Sequence, residues 1–201
     1  MKLIYQTWIA ILFICALPVI GVVALCIMLI DGSPVFYRQR RVGYKGKPFM
    51  MVKFRTMKPG AEAQKRFYTR RNQARGPVFK MYDDPRFTRL GRFLSHVGLD
   101  ELPQLINVIG GEMAIFGPRP LPVAEAKQLK FWMRQRHAIK PGIISPWIFE
   151  GYHSRPFDEW MKSDIMYAKQ KSVWLDLNLL GKAVGFVGKL IVREFSFDRQ
   201  S

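Results

Sequence analysis

The sequence predicts a mostly helical α+β fold with its N-terminal segment embedded in a membrane. Three observations support this class. The run from Trp8 to Ile30 is apolar throughout, the segment from Val35 to Met57 alternates between apolar and polar residues, and the tail from Val173 to Phe195 is mostly apolar with four polar residues on one helical face. These patterns predict a membrane-embedded helix, a short β-hairpin and interfacial amphipathic helices.

Composition restricts the class of partner. The 201 residues include 32 Lys and Arg against 15 Asp and Glu, which gives a formal net charge of +17 at pH 7. Such an excess favours an anionic partner: nucleic acid, a lipid headgroup or a phosphorylated substrate. Two cysteines and three scattered histidines exclude a disulfide scaffold and a structural zinc site.

The apolar run has two possible paths. From Trp8 to Ile30 it is long enough to cross the ~30 Å hydrocarbon layer as a straight helix, and too long for the apolar part of a signal peptide. Pro18 lies near its middle and removes a helical hydrogen-bond donor, so we expect a kink near Leu17. A straight span and a re-entrant helix both fit the residues. More basic residues follow the run than precede it, which places most of the chain in the cytoplasm.

The middle of the chain is expected to form a hairpin, broken at residues 44–47, followed by short helices. Side chains alternate along a strand, so Lys53 and Arg55 share one face of the second strand. Residues 58–75 are strongly basic and fit either a solvated helix or a mobile loop. Helix signals mark three further segments: Thr88–Leu94, Asp100–Ile109 ended by two glycines, and Pro122–Ala138.

The tail predicts an amphipathic helix. Four of its polar residues fall within about 60° of one another at 100° per residue, and they are Asn178, Lys182, Lys189 and Arg193. Nearly all the other residues are Leu, Val, Ile, Phe or Gly. Such a helix either packs on the domain core or lies in a membrane interface. The apolar run at the other end of the chain favours the interface.

Asp100 and Glu101 are the candidate catalytic pair. Cationic neighbours and the start of a helix would both favour their ionised forms. An ionised aspartate can attack phosphorus, while the glutamate, about 100° away around the helix, would position a metal or move a proton. The alternative is that the pair only caps the helix.

Three basic residues are candidates for binding phosphate. Arg119 lies between Pro118 and Pro120, and a rigidly held arginine suits bidentate phosphate recognition, although it could equally be a solvated turn residue. Lys53 and Arg55 either join it or form the solvated face of the hairpin. His96 is interpreted as a surface or supporting histidine, and the acidic pair at 83–84 as part of a turn.

The motifs, taken in order, resemble those of the bacterial sugar transferases, the monotopic phosphoglycosyl transferases. They are VFYRQRRVGYKGKPFMMVKFRTM, GPVFKMYDDPRFTRLGRFL, LDELPQLINVIGGEMAIFGPRP, KPGI and DIMYAKQKSVWLDL, after the apolar run. The resemblance covers nearly the whole chain, and the LDELPQL and GPRP elements are highly specific in this order and spacing.

The resemblance implies that a UDP-sugar donates its phosphosugar to polyprenol phosphate and releases UMP, which starts the synthesis of a membrane-associated glycan. It implies that Asp100 is the nucleophile and a Mg²⁺ ligand, that Glu101 assists, and that Arg119, Lys53 and Arg55 bind phosphate. It also implies a re-entrant helix broken at Pro18, in the bacterial inner membrane, with the catalytic domain on the cytoplasmic face.

Under this interpretation residues 1–32 form the re-entrant helix, residues 33–172 the catalytic domain at the membrane interface, and residues 173–201 the amphipathic helix and tail. The expected partners are a UDP-sugar, polyprenol phosphate and the lipid bilayer, with no nucleic acid. A homo-oligomer is left open, as are the sugar and the glycan pathway.

The chain departs from the family pattern in three places. Ser95 and Gly98 stand where an arginine and a serine usually precede LDE, so Arg92 or His96 is expected to supply the missing cation. Ser145 ends KPGIIS where the family has KPGITG, which alters one wall of the site. Leu17 replaces the serine before the kink proline.

Two other functions fit parts of the sequence. An inactive homologue that acts only as a scaffold would explain Ser95 and Gly98. A membrane-tethered nucleic-acid-binding protein would use residues 58–75 as a polybasic arm, but it would leave the acidic pair and GPRP without a role.

Overall fold

The structure is a computed structural model that describes residues 2–74, 76–81, 83–146 and 156–197, with side chains from residue 5 to residue 186 and at residue 188 within those ranges. It is 59% helical with few strands, which confirms the predicted mostly helical α+β class.

The apolar run forms one long helix, α1 (Lys2–Ile30), which continues through Pro18. From Tyr5 to Ile30 it is long and apolar enough to cross a membrane, by length and composition. Two parts of this helix nevertheless pack on the rest of the chain. Ile9 joins one buried apolar cluster, and Ile27, which is fully buried, joins another. The kink and the re-entrant path remain predictions.

The predicted hairpin is confirmed. Strands β1 (Phe36–Val42) and β2 (Pro48–Phe54) pair antiparallel, with a short 3₁₀ turn at Tyr44–Gly46 between them. Phe36 is opposite Phe54 in this register, and their rings stack with centroids 5.4 Å apart. The described part of the basic stretch 58–75 forms a short helix α2 (Ala61–Gln64) and a 3₁₀ helix (Lys65–Arg71).

Helix α3 (Arg89–Val97) confirms the helix expected at Thr88–Leu94, and the Thr88 hydroxyl caps it by accepting a 2.8 Å hydrogen bond from the amide of Gly91. Gly98 ends α3 with φ +81°, a conformation that favours glycine. The helix expected at Asp100–Ile109 begins as a 3₁₀ turn (Leu99–Gln104) and continues as α4 (Leu105–Ile109).

The single helix expected at Pro122–Ala138 is wrong. The segment forms a short helix α5 (Val123–Ala126) and a separate 3₁₀ helix (Phe131–Ala138). The helix breaks because Leu129 turns into the apolar core and Lys130 has an extended conformation, with φ −57° and ψ 154°. The local pattern of apolar residues does not reveal that Leu129 enters the core.

Three short strands complete the fold. β4 (Leu121–Pro122) extends the hairpin by pairing antiparallel with β1, while β3 (Ala114–Phe116) and β5 (Gly142–Ile144) form a separate parallel pair. The chain then continues through α6 (Phe157–Gln170) and α7 (Val173–Phe197).

Helix α7 confirms that the tail is helical. Leu179 is buried, whereas Trp174, Leu177 and Leu180 are exposed. Packing within the chain therefore leaves apolar surface uncovered, which agrees with the expected interfacial position. The side chains of Lys189 and Arg193, two of the four polar residues on the predicted face, lie outside the described residues.

Candidate active site

Asp100 is a buried carboxylate that faces a lysine. The end of β2 presents Lys53, whose ammonium lies 3.7 Å from Oδ2 of Asp100. Tyr37, the cross-strand partner of Lys53, supports the lysine with its ring 5.7 Å from Nζ. Gly98, with φ +81°, comes just before the 3₁₀ turn that carries Asp100, and this turn packs against β2. Local turn geometry and the hairpin together create this contact.

Glu101 has a different cationic partner. Its Oε1 lies 2.6 Å from Nη1 of Arg119, which is in the loop between β3 and β4. The two adjacent carboxylates thus point to separate cations, as the angle between neighbouring helical residues predicted. The structure brings Asp100, Glu101, Lys53 and Arg119 into one cluster.

The loop that carries Arg119 is fixed through its carbonyl groups. Arg136 donates to the carbonyl oxygen of Arg119 at 2.6 Å, and Arg41 donates to that of Pro120 at 2.7 Å. Arg136 also forms a 2.5 Å ion pair with Asp164, and both side chains are buried. Sequence reasoning missed Arg41, Arg136 and Asp164 in this role, because partners 17, 28 and 79 residues apart leave no local pattern.

Close backbone packing also fixes this loop. A Cβ atom at Gly142 would lie 2.1 Å from the amide nitrogen of Gly117, so only glycine lets the two segments approach. Gly142 belongs to β5 and Gly117 directly follows β3, so the close approach sits at the edge of the parallel pair. The KPGI motif, which contains Gly142, therefore packs against the backbone of the GPRP loop and holds it in place.

Burial and charge oppose each other at the acidic pair. Burial raises the pKa of Asp100 to about 6, against the opposing effect of Lys53, whereas the sequence predicted that cations and the helix start would favour ionisation. Asp100 still ionises at neutral pH. Burial lowers the pKa of Lys53, and the charge of Glu101 raises the pKa of Arg119.

Two further cations border the cluster. Burial and the charge of Arg119 lower the pKa of Arg41 to about 10 and that of Lys80 to about 7. Neither was proposed as a site residue, although both lie in stretches that carry the family resemblance. The signals that could have found them are the QRR run of β1 and the FK pair before the acidic turn.

Arg55 is not in this cluster. Its guanidinium donates to the carbonyl oxygens of Asp31, Gly32 and Ser33, at 2.7, 2.6 and 3.3 Å, and the side chain is buried. It therefore ties β2 to the end of α1. This corrects the expectation that Arg55 lies beside Lys53 at a phosphate, because its two terminal guanidinium nitrogens already donate to three backbone acceptors, while the buried Nε has no hydrogen-bond partner among the described residues.

The cation expected from Arg92 or His96 also comes from elsewhere. Arg92 lies 4.0 Å from the exposed Asp83, and His96 packs edge-on against Phe87. Lys53 is the cation that faces Asp100 instead. In the predicted acidic turn, Asp84 is buried and receives hydrogen bonds from Arg86.

The side chains around Asp100 restrict how a Mg²⁺ ion could bind. Among the described residues no group of three His, Cys, Asp or Glu side chains could hold a metal ion. Mg²⁺ bound with a nucleotide needs only one or two carboxylates, since phosphate oxygens and water complete its octahedron. Asp100 fits that requirement when a diphosphate is present, with Glu101 held away by Arg119.

Comparison with known proteins gives the family. The family model described as bacterial sugar transferase matches residues 1–189. The chain belongs to the bacterial sugar transferase family.

Several curated relatives are similar to this family member along most of the chain. It is 38% identical to the galactosyl transferase CpsE of Streptococcus agalactiae over 75% of the chain. It is 37% identical to the UDP-glucose:undecaprenyl-phosphate glucose-1-phosphate transferase of Escherichia coli over 86% of the chain. The chain spans about a third of these two relatives, 34% and 37% of their lengths. It covers 83% of the uncharacterized sugar transferase EpsL of Bacillus subtilis, at 33% identity over 90% of the chain.

The structure shows where one departure from the family pattern, Ser145, lies. Ser145, which ends KPGIIS, is completely buried, and its hydroxyl lies 3.4 Å from Oδ1 of Asp164. Asp164 thus receives Arg136 on one oxygen and Ser145 on the other. Ser145 therefore belongs to the buried hydrogen-bond network of Asp164 and Arg136 that holds the loop carrying Arg119.

Proposed function

We propose that this sugar transferase moves a sugar-1-phosphate from a UDP-sugar to undecaprenyl phosphate, releases UMP, and passes through a phosphosugar intermediate on Asp100. The observation that carries the proposal is the buried Asp100 carboxylate beside Lys53, with the Glu101–Arg119 pair next to it. The printed name of the Escherichia coli relative supports the donor and acceptor classes.

The first half-reaction is a displacement at the sugar-bearing phosphorus. A carboxylate oxygen of Asp100 attacks, the bond from phosphorus to the bridging oxygen breaks, and UMP leaves with the electron pair. Lys53 and Arg119 stabilise the charge on the phosphoryl oxygens, and their partial burial strengthens this effect. Bound Mg²⁺, held by Asp100, would neutralise part of the diphosphate charge.

The second half-reaction regenerates the enzyme. An oxygen of undecaprenyl phosphate attacks the same phosphorus, and the Asp100 carboxylate leaves, which yields the undecaprenyl-diphospho-sugar. Glu101 holds the Arg119 guanidinium in place through both steps. The acceptor lipid stays in the bilayer, so the catalytic domain must work at the membrane surface.

Because the acceptor is a membrane lipid, the proposed reaction also implies a position for the protein at the membrane. We place α1 in the bacterial inner membrane as a re-entrant helix and the catalytic domain on the cytoplasmic face, where UDP-sugars are available. The exposed apolar residues of α7 lie in the interface in this arrangement. The product begins a membrane-associated glycan, such as an exopolysaccharide, a capsule, an O-antigen or a glycoprotein glycan.

The test is turnover by the purified protein. A panel of UDP-sugars with undecaprenyl phosphate identifies the donor through UMP release, and a quench without acceptor detects a phosphosugar bound to the protein. Asp100→Asn should abolish both signals, because an amide does not attack phosphorus. Asp83→Asn, which changes an exposed aspartate, is the matched control. Donor and acceptor binding without any turnover would favour a scaffold instead.

A further inference from the structure

Strand β2 lies at one edge of its three-stranded sheet, in which the strand order is β2-β1-β4. The backbone groups on the outer side of an edge strand have no neighbouring strand to pair with, so they need other partners. Met50 and Val52 are two residues apart in β2, so their backbone groups face the same edge. One buried side chain, that of Asn107 on α4, binds both residues.

The side-chain amide of Asn107 takes the place of a peptide group at this edge. Its Oδ1 accepts a 3.1 Å hydrogen bond from the amide of Val52, and its Nδ2 donates to the carbonyl oxygen of Met50 at 2.8 Å. The second proton of Nδ2 goes to Oε2 of Glu112, at 2.7 Å. An asparagine supplies a donor and an acceptor together, whereas an ionised aspartate only accepts and an alanine does neither.

The backbone around Asn107 is also fixed. Its carbonyl oxygen accepts from the amides of Glu112 and Met113, at 2.9 and 3.1 Å. These bonds close the turn after α4 and return the chain to Asn107. The exposed Glu112 therefore orients an amide that is itself only 3% exposed.

Asn107 and Asp100 belong to one continuous helical segment, formed by the 3₁₀ turn and α4. Val52, which Asn107 binds, directly precedes Lys53 in β2, and Lys53 faces Asp100 at 3.7 Å. The helical segment thus meets β2 at two points. One is the amide that binds the strand backbone, and the other is the candidate nucleophile.

Apolar packing holds the same two elements together but does not fix their register. Met51 and Val108 lie in one buried cluster, and Phe54 lies in another that includes Leu102. Burial of apolar surface is not directional, so these contacts tolerate a small shift of β2 along the helical segment. The two backbone hydrogen bonds of Asn107 do not tolerate such a shift, because each needs one particular partner.

We infer that Asn107 is a positioning residue, which fixes the register of β2 and so keeps Lys53 beside Asp100 during phosphoryl transfer. This inference rests on the proposed function. A displacement of about 1 Å can slow a reaction about 100-fold, so the register of β2 bears directly on turnover. Asn107 acts through the backbone of β2 and Glu112 acts through Asn107.

The experiment measures the first-turnover burst of UMP release, without acceptor, by the full chain in detergent with Mg²⁺ and a UDP-sugar. Asn107→Ala should slow the burst at least about tenfold, because it releases the strand that carries Lys53. Glu112→Ala should also slow it, since Nδ2 of Asn107 loses an acceptor. Glu112→Gln should keep the wild-type rate, because the glutamine oxygen still accepts this bond.

A double-mutant cycle tests whether the effect passes through Lys53. In a Lys53→Met background, Asn107→Ala should slow the burst less than about twofold further, because the group that it positions is already absent. Leu129→Ala is the control for lost stability, since it opens a cavity in a different apolar cluster. It should lower the thermal midpoint and leave the burst rate of the folded protein unchanged.

The outcomes separate this inference from the proposed function. The same proportional loss from Asn107→Ala with and without Lys53→Met, or normal bursts from Asn107→Ala and Glu112→Ala, overturns the positioning role alone. A wild-type chain that releases no UMP from any UDP-sugar overturns the proposed function and this inference with it. If Asn107→Ala does not fold, Glu112→Ala against Glu112→Gln, each with and without Lys53→Met, decides the matter.

Discussion

Arg136 and Asp164 form an almost completely buried ion pair, and Arg136 uses a second hydrogen bond to hold the carbonyl oxygen of Arg119. A buried ion pair gains little over apolar packing in general, but loss of one partner leaves an uncompensated charge. This pair connects α6 to the loop that carries the candidate phosphate ligand. The pair therefore stabilises the fold and also fixes the position of Arg119.

We predict that Asp164→Ala destabilises the protein by about 3–5 kcal/mol, because the Arg136 charge would remain buried without a partner. The thermal midpoint should fall on the order of 10 °C. The matched control is Asp158→Ala, since Lys130–Asp158 joins the same two elements at the surface and should be worth under about 1 kcal/mol. Equal shifts for the two variants would show that burial of the pair is unimportant.

Arg119→Lys should reduce UMP release about 10- to 100-fold while the protein stays folded. Lysine keeps the charge beside Glu101 but loses the planar guanidinium that binds two phosphate oxygens. Steady-state kinetics with a UDP-sugar and undecaprenyl phosphate measure the effect, and Arg134→Lys, an exposed arginine, is the control. Unchanged kinetics would make Arg119 a structural turn residue.

Arg55→Met should lower stability by about 1–3 kcal/mol and leave the KM for the UDP-sugar unchanged. The three carbonyl groups at residues 31–33 lose their donor, and leaving buried polar groups unpaired costs a free energy of about this size. Thermal unfolding and donor titration separate the two effects. A raised KM without a stability change would restore the phosphate role that the sequence suggested.

Chelation by EDTA should stop UMP release, and added Mg²⁺ should restore it. A single carboxylate, Asp100, holds a divalent ion weakly on its own, so we also expect tighter Mg²⁺ binding when the UDP-sugar is present. A Mg²⁺ titration at two donor concentrations measures this coupling. Activity that is indifferent to EDTA would remove the metal from the mechanism.

Local signals in the sequence predicted the hairpin and the helical segments that begin near Thr88 and Asp100, because each depends on residues close in the chain. The Asp100–Glu101 pair and Arg119 were found through short motifs that keep their spacing. The Lys53–Asp100 contact was not predicted, because it joins β2 to the turn after Gly98, and the sequence suggested Arg92 or His96 as the nearby cation. The acidic pair and Arg119 were accessible as candidates without coordinates.

Long-range pairing limited the remaining predictions. Strand periodicity placed Arg55 on the same face as Lys53, but the end of α1 folds back to within reach of its guanidinium. The buried partners of Arg136 and the parallel pairing of β3 with β5 join segments with no shared local pattern. Tertiary contacts decide such features, and a single sequence does not reveal them.

We expect α1 to follow a re-entrant path in the membrane. Pro18 divides the apolar run into arms of ten and twelve residues, about 15–18 Å each, or half the hydrocarbon layer. Ile9 and Ile27, about 27 Å apart along α1, both pack on the rest of the chain. We therefore expect the N-terminus to stay on the cytoplasmic side.

Cysteine labelling in intact cells tests this path, in a background where Cys15 and Cys26 are replaced by alanine. An impermeant reagent added outside should not reach Lys2→Cys until the cells are permeabilised, and Lys47→Cys is the cytoplasmic control. Pro18→Ala should straighten the helix and expose position 2 to the outside reagent, because the interrupted hydrogen bond is restored. Labelling of Lys2→Cys from outside with Pro18 present would show that α1 spans the membrane, and the contacts of Ile9 would then have to break in the bilayer.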